Sequence, residues 1–582
     1  MIFRHFLRIV AIFLCFSGAY AQEMDRPLSP EIATATQVKK QVQTGKFMAV
    51  MAHPDATKAA YNILAQGGTA ADAAIAAQMV LGLVEPQSSG LGGGGFVLYY
   101  DAQKKTLLSL DGRETAPETA SQYLFIGRDG KPMGFYNASI GGRAVGVPGL
   151  LKMLEELHHQ KGKMPWADLF SPAIQRAEEG FTVSERLHRM LVEERPRFQQ
   201  DVIAQLYFYP DTVEPIAAGS QKRNPDYAVT LRRIAEKGID SFYNGEIGEA
   251  IVKKVRHSDN AGLLAIEDLR DYKAIERKPV CAMYRGYEVC SMGQPSSGGL
   301  TLLEILGMVE HYDLAKWGAE NPKSWHVISE ASHLAFADRN KYMVDPDFVA
   351  SPNTLLLQPD YLKARAALIN IDKAMLEVQA GIPPGWNDQQ AMAADHSLKP
   401  PGTTHMNIVD GYGNILSMTS SIENAFGSRL MTGGFLLNNQ LTDFAFDPID
   451  EEGMPVANRV EGGKRPRSSM TPVIIFDKDG KPFMAIGSAG GSRIIGFVLE
   501  RIISVIDWHM DLQDAMNAPN ILHRGQKLEV EKSAVKFAEP LKNLGHPVLV
   551  GEMNSGLTAI MLKDGKIYGA ADPRRDGIAM GQ

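Results

Sequence analysis

A chain of 582 residues that is 45% hydrophobic and 22% charged, with 55 glycines and 32 prolines, has ordinary globular composition. It is too well mixed for a collagen, a disordered tail or a coiled coil. Its 60 Lys and Arg against 67 Asp and Glu leave a formal charge of −7, and no long basic run offers a duplex-tracking surface, so nucleic acid is not expected as the main partner.

Residues 1–21 begin with Arg4 and Arg8, continue through the apolar Ile9–Phe16 and end on the small-x-small Ala19-Tyr20-Ala21. They read as a secretory signal peptide cut before Gln22, because the apolar run is shorter than the roughly 20 residues that span a bilayer. An uncleaved anchor is the alternative. No later stretch is long and apolar enough to cross a membrane, so the mature chain is expected in the periplasm or outside the cell, without a membrane span. Residues 55–86 read as two packed helices interrupted at Gly67-Gly68, and a strand, FVLYYD, follows Gly95. Further helices are expected around 149–161, 166–179, 226–237, 299–311 and 323–343.

In CAMYRGYEVC, a two-residue turn at Arg285-Gly286 would place residue 281 opposite 290 as a non-hydrogen-bonded pair. That geometry permits a cross-strand disulfide between Cys281 and Cys290. An exporting compartment favours the bridge, while a large core does without one, so two buried thiols stay open as the alternative.

After about residue 400 the pattern changes to hairpins around Gly-x-Gly or Asp-Gly turns: TTHMNIVD-GYG-NILSMTSS, TPVIIFD-KDGK-PFMAIGS and LTAIML-KDGK-IYGA. A helical period, SRIIGFVLERIISVIDW, separates the second from the third. Sheets with helices between and outside them imply a layered α/β sandwich. The polar, Pro/Gly-rich 382–402 preceding this change has the build of an exposed, cleavable linker, or of a plain structural one.

Gly90–Gly95 contains GxGxxG, but it follows a helix and precedes a strand, the reverse of a dinucleotide fingerprint. HExxH, Walker, CxxC and G-x-S-x-G motifs are absent and the 14 His are scattered, so no metal and no cofactor are expected. The remaining chemistry lies in the hairpin region. If the bond between Gly402 and Thr403 is cut, Thr403 carries both a hydroxyl and a new α-amine of pKa near ~7.7, a competent base at neutral pH. In GSAGGS (487–492), placed between a strand and the long helix with Ser492 as a plausible N-cap, two Gly let the backbone approach closely and free N–H groups near a helix N-terminus would stabilise an oxyanion. A tight strand-to-helix turn is the plainer reading. NNQLTD (438–443) and KRPRSSM (464–470) are either loops and caps or a substrate socket.

Together with EPQSSGLGGGGF (85–96), DGRETAP (111–117), GVPG (146–149), PSSGG (295–299), ADRNKYMVDPDFV (337–349), TTHMNIVD (403–410), LLNNQLTDF (436–444), KRPRSSMTP (464–472) and GSAGGSR (487–493), these blocks resemble the γ-glutamyltranspeptidase family of N-terminal nucleophile hydrolases. The resemblance runs from about residue 45 to the C-terminus. It implies an α+β fold, an αββα four-layer sandwich formed jointly by a large subunit, residues 22–402, and a small subunit, 403–582, produced by self-cleavage. It implies Thr403 as nucleophile, Gly490 and Gly491 as oxyanion donors, and Thr404 and Ser421 as hydrogen-bond partners of the nucleophile or its amine. Arg113, Ser468 and Ser469 would bind the α-carboxylate of a γ-glutamyl donor such as glutathione, and Glu423, Gln440 and Asp443 its α-ammonium. Water or an amino acid or peptide amine would accept the acyl group. Ser421 stands where many members carry Thr, Glu423 where some carry Asn, and residues 444–466 lack the Tyr found in the lid of some bacterial members. A glutaryl-type (cephalosporin) acylase of the same fold and a non-catalytic secreted binding protein are the competing readings.

Overall fold

The three hairpins expected after residue 400 all form, and each sits inside a larger sheet. The structure, a computed structural model, describes residues 38–211, 213–387, 392–396 and 402–582. The expected signal peptide lies outside the described residues, as do 388–391 and 397–401 of the expected linker.

One seven-stranded sheet runs, edge to edge, Val42–Thr44, Lys566–Ala571, Thr558–Lys563, Pro482–Gly487, Val473–Phe476, Tyr287–Ser291, Val280–Tyr284. The other runs Ile578–Gly581, Met48–Met51, Thr404–Val409, Ile415–Ser421, Gly94–Asp101, Thr106–Gly112, Ile275–Glu276. Every pairing in both is antiparallel. Strands from before and after residue 402 interleave in each sheet, so neither portion has a core of its own.

Period-two side-chain alternation builds the layers. Met48, Val50, Leu98, Tyr100, Ile474, Phe476 and Ala485 meet between the sheets. Their neighbours Ala49, Met51, Val97 and Tyr99 face one helical layer, and Val473, Ile475, Met484 and Ile486 face the other. The first layer includes helices Pro54–Ala65 and Ala70–Val84, the second Gly298–Val309, Pro322–Tyr342 and Ile494–Ile506. This is the expected αββα sandwich. Helix Ala70–Val84 is buried along its whole length and starts on a Thr69/Asp72 capping box.

The Arg285-Gly286 turn has both residues at positive φ, 51° and 85°, and sets Cys281 opposite Cys290. The disulfide is formed, with Cα atoms 4.1 Å apart. Ser492 is not the helix cap the sequence reading made it. It lies inside a 3-10 turn, Gly491–Arg493, with Arg493 preceding the helix, and its hydroxyl accepts a 2.5 Å hydrogen bond from Arg524. Among the described residues no helix is long and apolar enough to cross a membrane.

Candidate active site

The strand Thr404–Val409 lies in the interior of its sheet, and Thr403 immediately precedes it at the edge of an open cleft of about 570 Å³. Inward-facing His405 and Asn407 anchor this strand to the other sheet. Asn407 donates to Thr558 O at 2.8 Å, and His405 packs so tightly on Gly487 that any Cβ there would stand 2.2 Å from its ring. Burial drives the His405 pKa down to about 3, so it is a neutral structural side chain bonded to Thr419 Oγ1 at 2.8 Å.

The Gly402 carbonyl is the focus of two hydroxyls. Thr403 Oγ1 donates a short hydrogen bond to it, and Ser421 Oγ donates at 2.7 Å. Ser421 Oγ in turn accepts from the Glu423 N–H at 2.8 Å, which fixes the direction of its proton. Such convergence polarises the carbonyl toward attack. Only glycine fits at 402, because a Cβ would come within 2.3 Å of Glu423 O. Thr404 departs from expectation: its buried hydroxyl has no hydrogen-bond partner in the unbroken chain. Adjacent residues of an extended chain project to opposite faces, so Thr404 points away from the nucleophile next to it. Of the two expected partners, Ser421 alone reaches this centre.

Gly490 and Gly491 close the turn with φ of 134° and 59°. Gly491 and Ser492 line the cleft, and Gly490 lies one residue behind, where a Cβ would stand 2.7 Å from the Phe497 ring. The expected socket residues also converge there. Arg113, Ser421, Glu423, Gln440, Asp443, Ser468 and Ser469 all line the same cleft as Thr403. Arg113 is 1% exposed. Its Nη2 donates to Asp443 Oδ2 at 2.6 Å and to Arg467 O at 3.0 Å, and its Nε donates to Pro466 O at 3.1 Å. Gln440 Nε2 donates to the same Asp443 oxygen at 2.7 Å. The residues expected at the two ends of an amino acid are thus physically joined: the cation is braced by the acid. Nη1 is the nitrogen of Arg113 with no hydrogen bond among the described residues, standing 3.7 Å from Glu114.

Sequence reasoning missed two arginines. Arg575 Nη1 donates to Thr403 O at 3.1 Å and so anchors the backbone of the expected nucleophile. Arg339, on the second-layer helix Pro322–Tyr342, lines the cleft and links both serine motifs, donating from Nε to Ser297 Oγ at 2.9 Å and from Nη2 to Ser469 Oγ at 2.8 Å. Ser297 Oγ donates in turn to Ser468 O at 2.6 Å. Arg339 forms no ion pair among the described residues, and burial together with nearby Arg467 pushes its pKa well down. The signal for both was in the sequence, in ADRNKYMVDPDFV and in the C-terminal DPRRDG, but an Arg carries no motif of its own.

The segment after Asp443 is tied at its base. Asn458 donates to Asp443 O at 2.8 Å and to Asp395 Oδ2 at 2.9 Å, and accepts from the Arg467 N–H at 3.0 Å.

Glu114 behind Arg113 is wholly buried, and burial raises its carboxyl to about 8 despite the opposing pull of Arg113. The folded state holds this proton up to that pH, whereas the unfolded chain releases it in the ordinary carboxylate range. Folding therefore takes up a proton in between, and this group makes stability fall as pH rises through that window. Glu114→Gln has no proton to lose and is expected to flatten the fall. Denaturation midpoints of both proteins at about pH 5 and about pH 8.5 check this; an equal fall in the two would contradict it.

Comparison with known proteins agrees with this geometry. The profile of the family described as Gamma-glutamyltranspeptidase matches residues 56–582. The chain is 36% identical to the glutathione hydrolase proenzyme of Bacillus subtilis (strain 168), covering 93% of this chain and 92% of that one. It is 35% identical to the glutathione hydrolase proenzyme of Escherichia coli (strain K12), covering 98% of each. Among solved structures, the cephalosporin acylase from Bacillus halodurans superposes with a TM-score of 0.83 at 27% identity, over 95% of this chain and 99% of that one. Fold, sequence and site agree on an enzyme, which removes the non-catalytic reading. The chain belongs to the γ-glutamyltranspeptidase family of N-terminal nucleophile hydrolases and is an acyl-transferring enzyme of that type.

Proposed function

We propose that this protein cleaves its own Gly402–Thr403 bond and then moves γ-glutamyl groups from glutathione and related donors to water or to an amino acid or peptide amine. In the unbroken chain Thr403 Oγ attacks the Gly402 carbonyl, an N-to-O acyl shift gives an ester, and water hydrolyses that ester. Chains 22–402 and 403–582 stay together because their strands interleave. The freed α-amine of Thr403 takes the proton of its own hydroxyl as Oγ attacks the γ-carbonyl of the donor. The N–H groups of Gly490 and Gly491 hold the oxyanion. The leaving amine departs with that proton, and the γ-glutamyl ester on Thr403 passes to the acceptor. Ser421, released from Gly402, orients the nucleophile. Export to the periplasm or the outside of the cell follows from the signal-like residues 1–21.

The observation that carries this reading is the pairing of opposite charges in one cleft with Thr403. Arg113 and Arg339 with Ser468 and Ser469 suit an α-carboxylate, and Asp443, Gln440 and Glu423 suit an α-ammonium. A glutaryl donor has no ammonium, yet the likeness to a cephalosporin acylase keeps that second reading in view. The test is a comparison of kcat/KM for γ-glutamyl and glutaryl anilides. A site built to bond a polar group rejects the analogue lacking it, so the γ-glutamyl compound is expected to be favoured by roughly 10³-fold or more. A glutaryl anilide turned over as well or better would transfer the assignment to the acylase.

A further inference from the structure

Away from the cleft, four histidines that are scattered in sequence share one buried space with a glutamate. His326, Glu330 and His333 leave successive turns of one face of helix Pro322–Tyr342, His523 ends strand Ile521–His523, and His546 precedes strand Val548–Gly551. Each is 9% exposed or less. The His333 and His523 rings lie 4.2 Å apart, those of His326 and His546 4.9 Å, and those of His523 and His546 5.8 Å.

The hydrogen bonds assign the protons. His326 Nε2 lies 2.8 Å from Asn370 O and must donate to it, which leaves His326 Nδ1 to accept from His546 Nε2 at 2.7 Å. His546 Nδ1 therefore keeps its lone pair, and it faces Glu330 Oε1 at 3.8 Å, beyond hydrogen-bond range. His523 uses Nδ1 on Ser329 O at 3.2 Å, and Glu330 uses Oε2 on the Met375 N–H at 2.8 Å. Glu330 Oε1, His333 Nδ1, His523 Nε2 and His546 Nδ1 are buried and unpartnered. Four such atoms in one cluster are hard to reconcile with a merely structural core, where buried polar groups find partners.

We propose that this space binds one divalent transition-metal ion of the Zn²⁺ type, with Glu330, His333, His523 and His546 as ligands and His326 orienting His546. The donor atoms of Glu330, His333 and His523 lie within 4.8 Å of one another, as do those of His326, Glu330 and His546, so that Glu330 joins the two groups. Of the proposed ligands Glu330 alone belongs to both groups, so a tetrahedral site with bonds of roughly 2.0–2.2 Å requires the His546 ring, whose Nδ1 stands 3.8 Å from Glu330 Oε1, to move toward His333 and His523. Three imidazoles and one carboxylate select zinc and its neighbours over calcium or magnesium, which take oxygen. The bond from His546 to His326 fixes which nitrogen faces the ion. The protein fills all four positions and none of these residues lines the cleft, so the ion is structural rather than catalytic. Three of the five residues precede residue 402 and two follow it. The ion therefore clamps the two chains of the cleaved enzyme together, a consequence that rests on the proposed cleavage, whereas metal binding itself does not.

The test uses the full, untagged protein, stripped with a chelator and titrated with Co²⁺. One equivalent is expected to give the intense visible absorption of tetrahedral Co²⁺, to be displaced by Zn²⁺, and to be lost in His333→Gln and His523→Gln. Uncleaved Thr403→Ala protein is expected to bind the ion equally, which separates this site from the maturation reading. Zn²⁺ is expected to raise the thermal midpoint of the parent protein and not of the two His variants. Should the His variants fail to fold, the parent spectrum still decides. Absence of the tetrahedral signal in the parent, or its persistence in a folded His523→Gln protein, would overturn the proposal.

Discussion

Thr403→Ala is expected to leave one unbroken chain and to lower γ-glutamyl anilide release by about 10⁴-fold or more, the scale of losing a nucleophile that acts as one unit with its base. Both losses have one cause. On the proposed mechanism, the hydroxyl that contacts the Gly402 carbonyl in the unbroken chain is the one that attacks the donor once the bond is gone. Thr403→Ser keeps a hydroxyl at the same place and is expected to retain cleavage and a measurable fraction of activity. Denaturing gels and initial rates on the same preparations check both. Two chains from the Ala variant would remove Thr403 from the maturation step, and undiminished turnover would remove it from catalysis.

Arg113→Ala is expected to raise KM for a γ-glutamyl donor by about 10²-fold, while the gel still shows cleavage. Truncating one member of a buried hydrogen-bonded charge pair costs several kcal/mol, and each 1.4 kcal/mol is a factor of ten in binding. Here the expected loss is double, because the side chain proposed to receive the carboxylate also braces Asp443 at 2.6 Å, and Asp443 holds Gln440. Arg113→Lys is not expected to rescue it. The fork that reaches Pro466 O, Arg467 O and Asp443 at once needs two nitrogens, Nε and Nη2, fixed in one plane, and an ammonium offers one point charge. Steady-state kinetics decide. An unchanged KM would remove Arg113 from carboxylate binding, and a fall in kcat at constant KM would move its role to the transition state.

What the sequence made legible follows from how local each signal is. The hairpin at Thr404–Val409 and Ile415–Ser421, and the turn that pairs Cys281 with Cys290, depend on alternation and on a few turn residues that are neighbours in the chain. The junction at Gly402-Thr403 was legible for the same reason, a polar linker meeting a strand. Sheet order was not, because Met48–Met51 and Ile578–Gly581 are four-residue strands whose pairing is set by partners hundreds of residues away. Ser492 was misread because the local rule for caps competes with a distant side chain, Arg524, which takes its hydroxyl. Arg339 stayed hidden in a 21-residue helix buried on nearly every face, where polar residues break the apolar period. The four histidines looked scattered for the plainest reason: 326, 333, 523 and 546 become neighbours only when helix Pro322–Tyr342 packs beside strands Ile521–His523 and Val548–Gly551.

The most direct test of the central claim, that Thr403 becomes an N-terminal nucleophile carrying the γ-glutamyl group, is mass spectrometry of the purified enzyme acid-quenched during turnover of a γ-glutamyl anilide. The expected result is a chain spanning residues 403–582 that begins with Thr403 and carries one γ-glutamyl ester on its N-terminal peptide. An active enzyme with an uncut Gly402–Thr403 bond, or an acyl group found on any other residue, would contradict it.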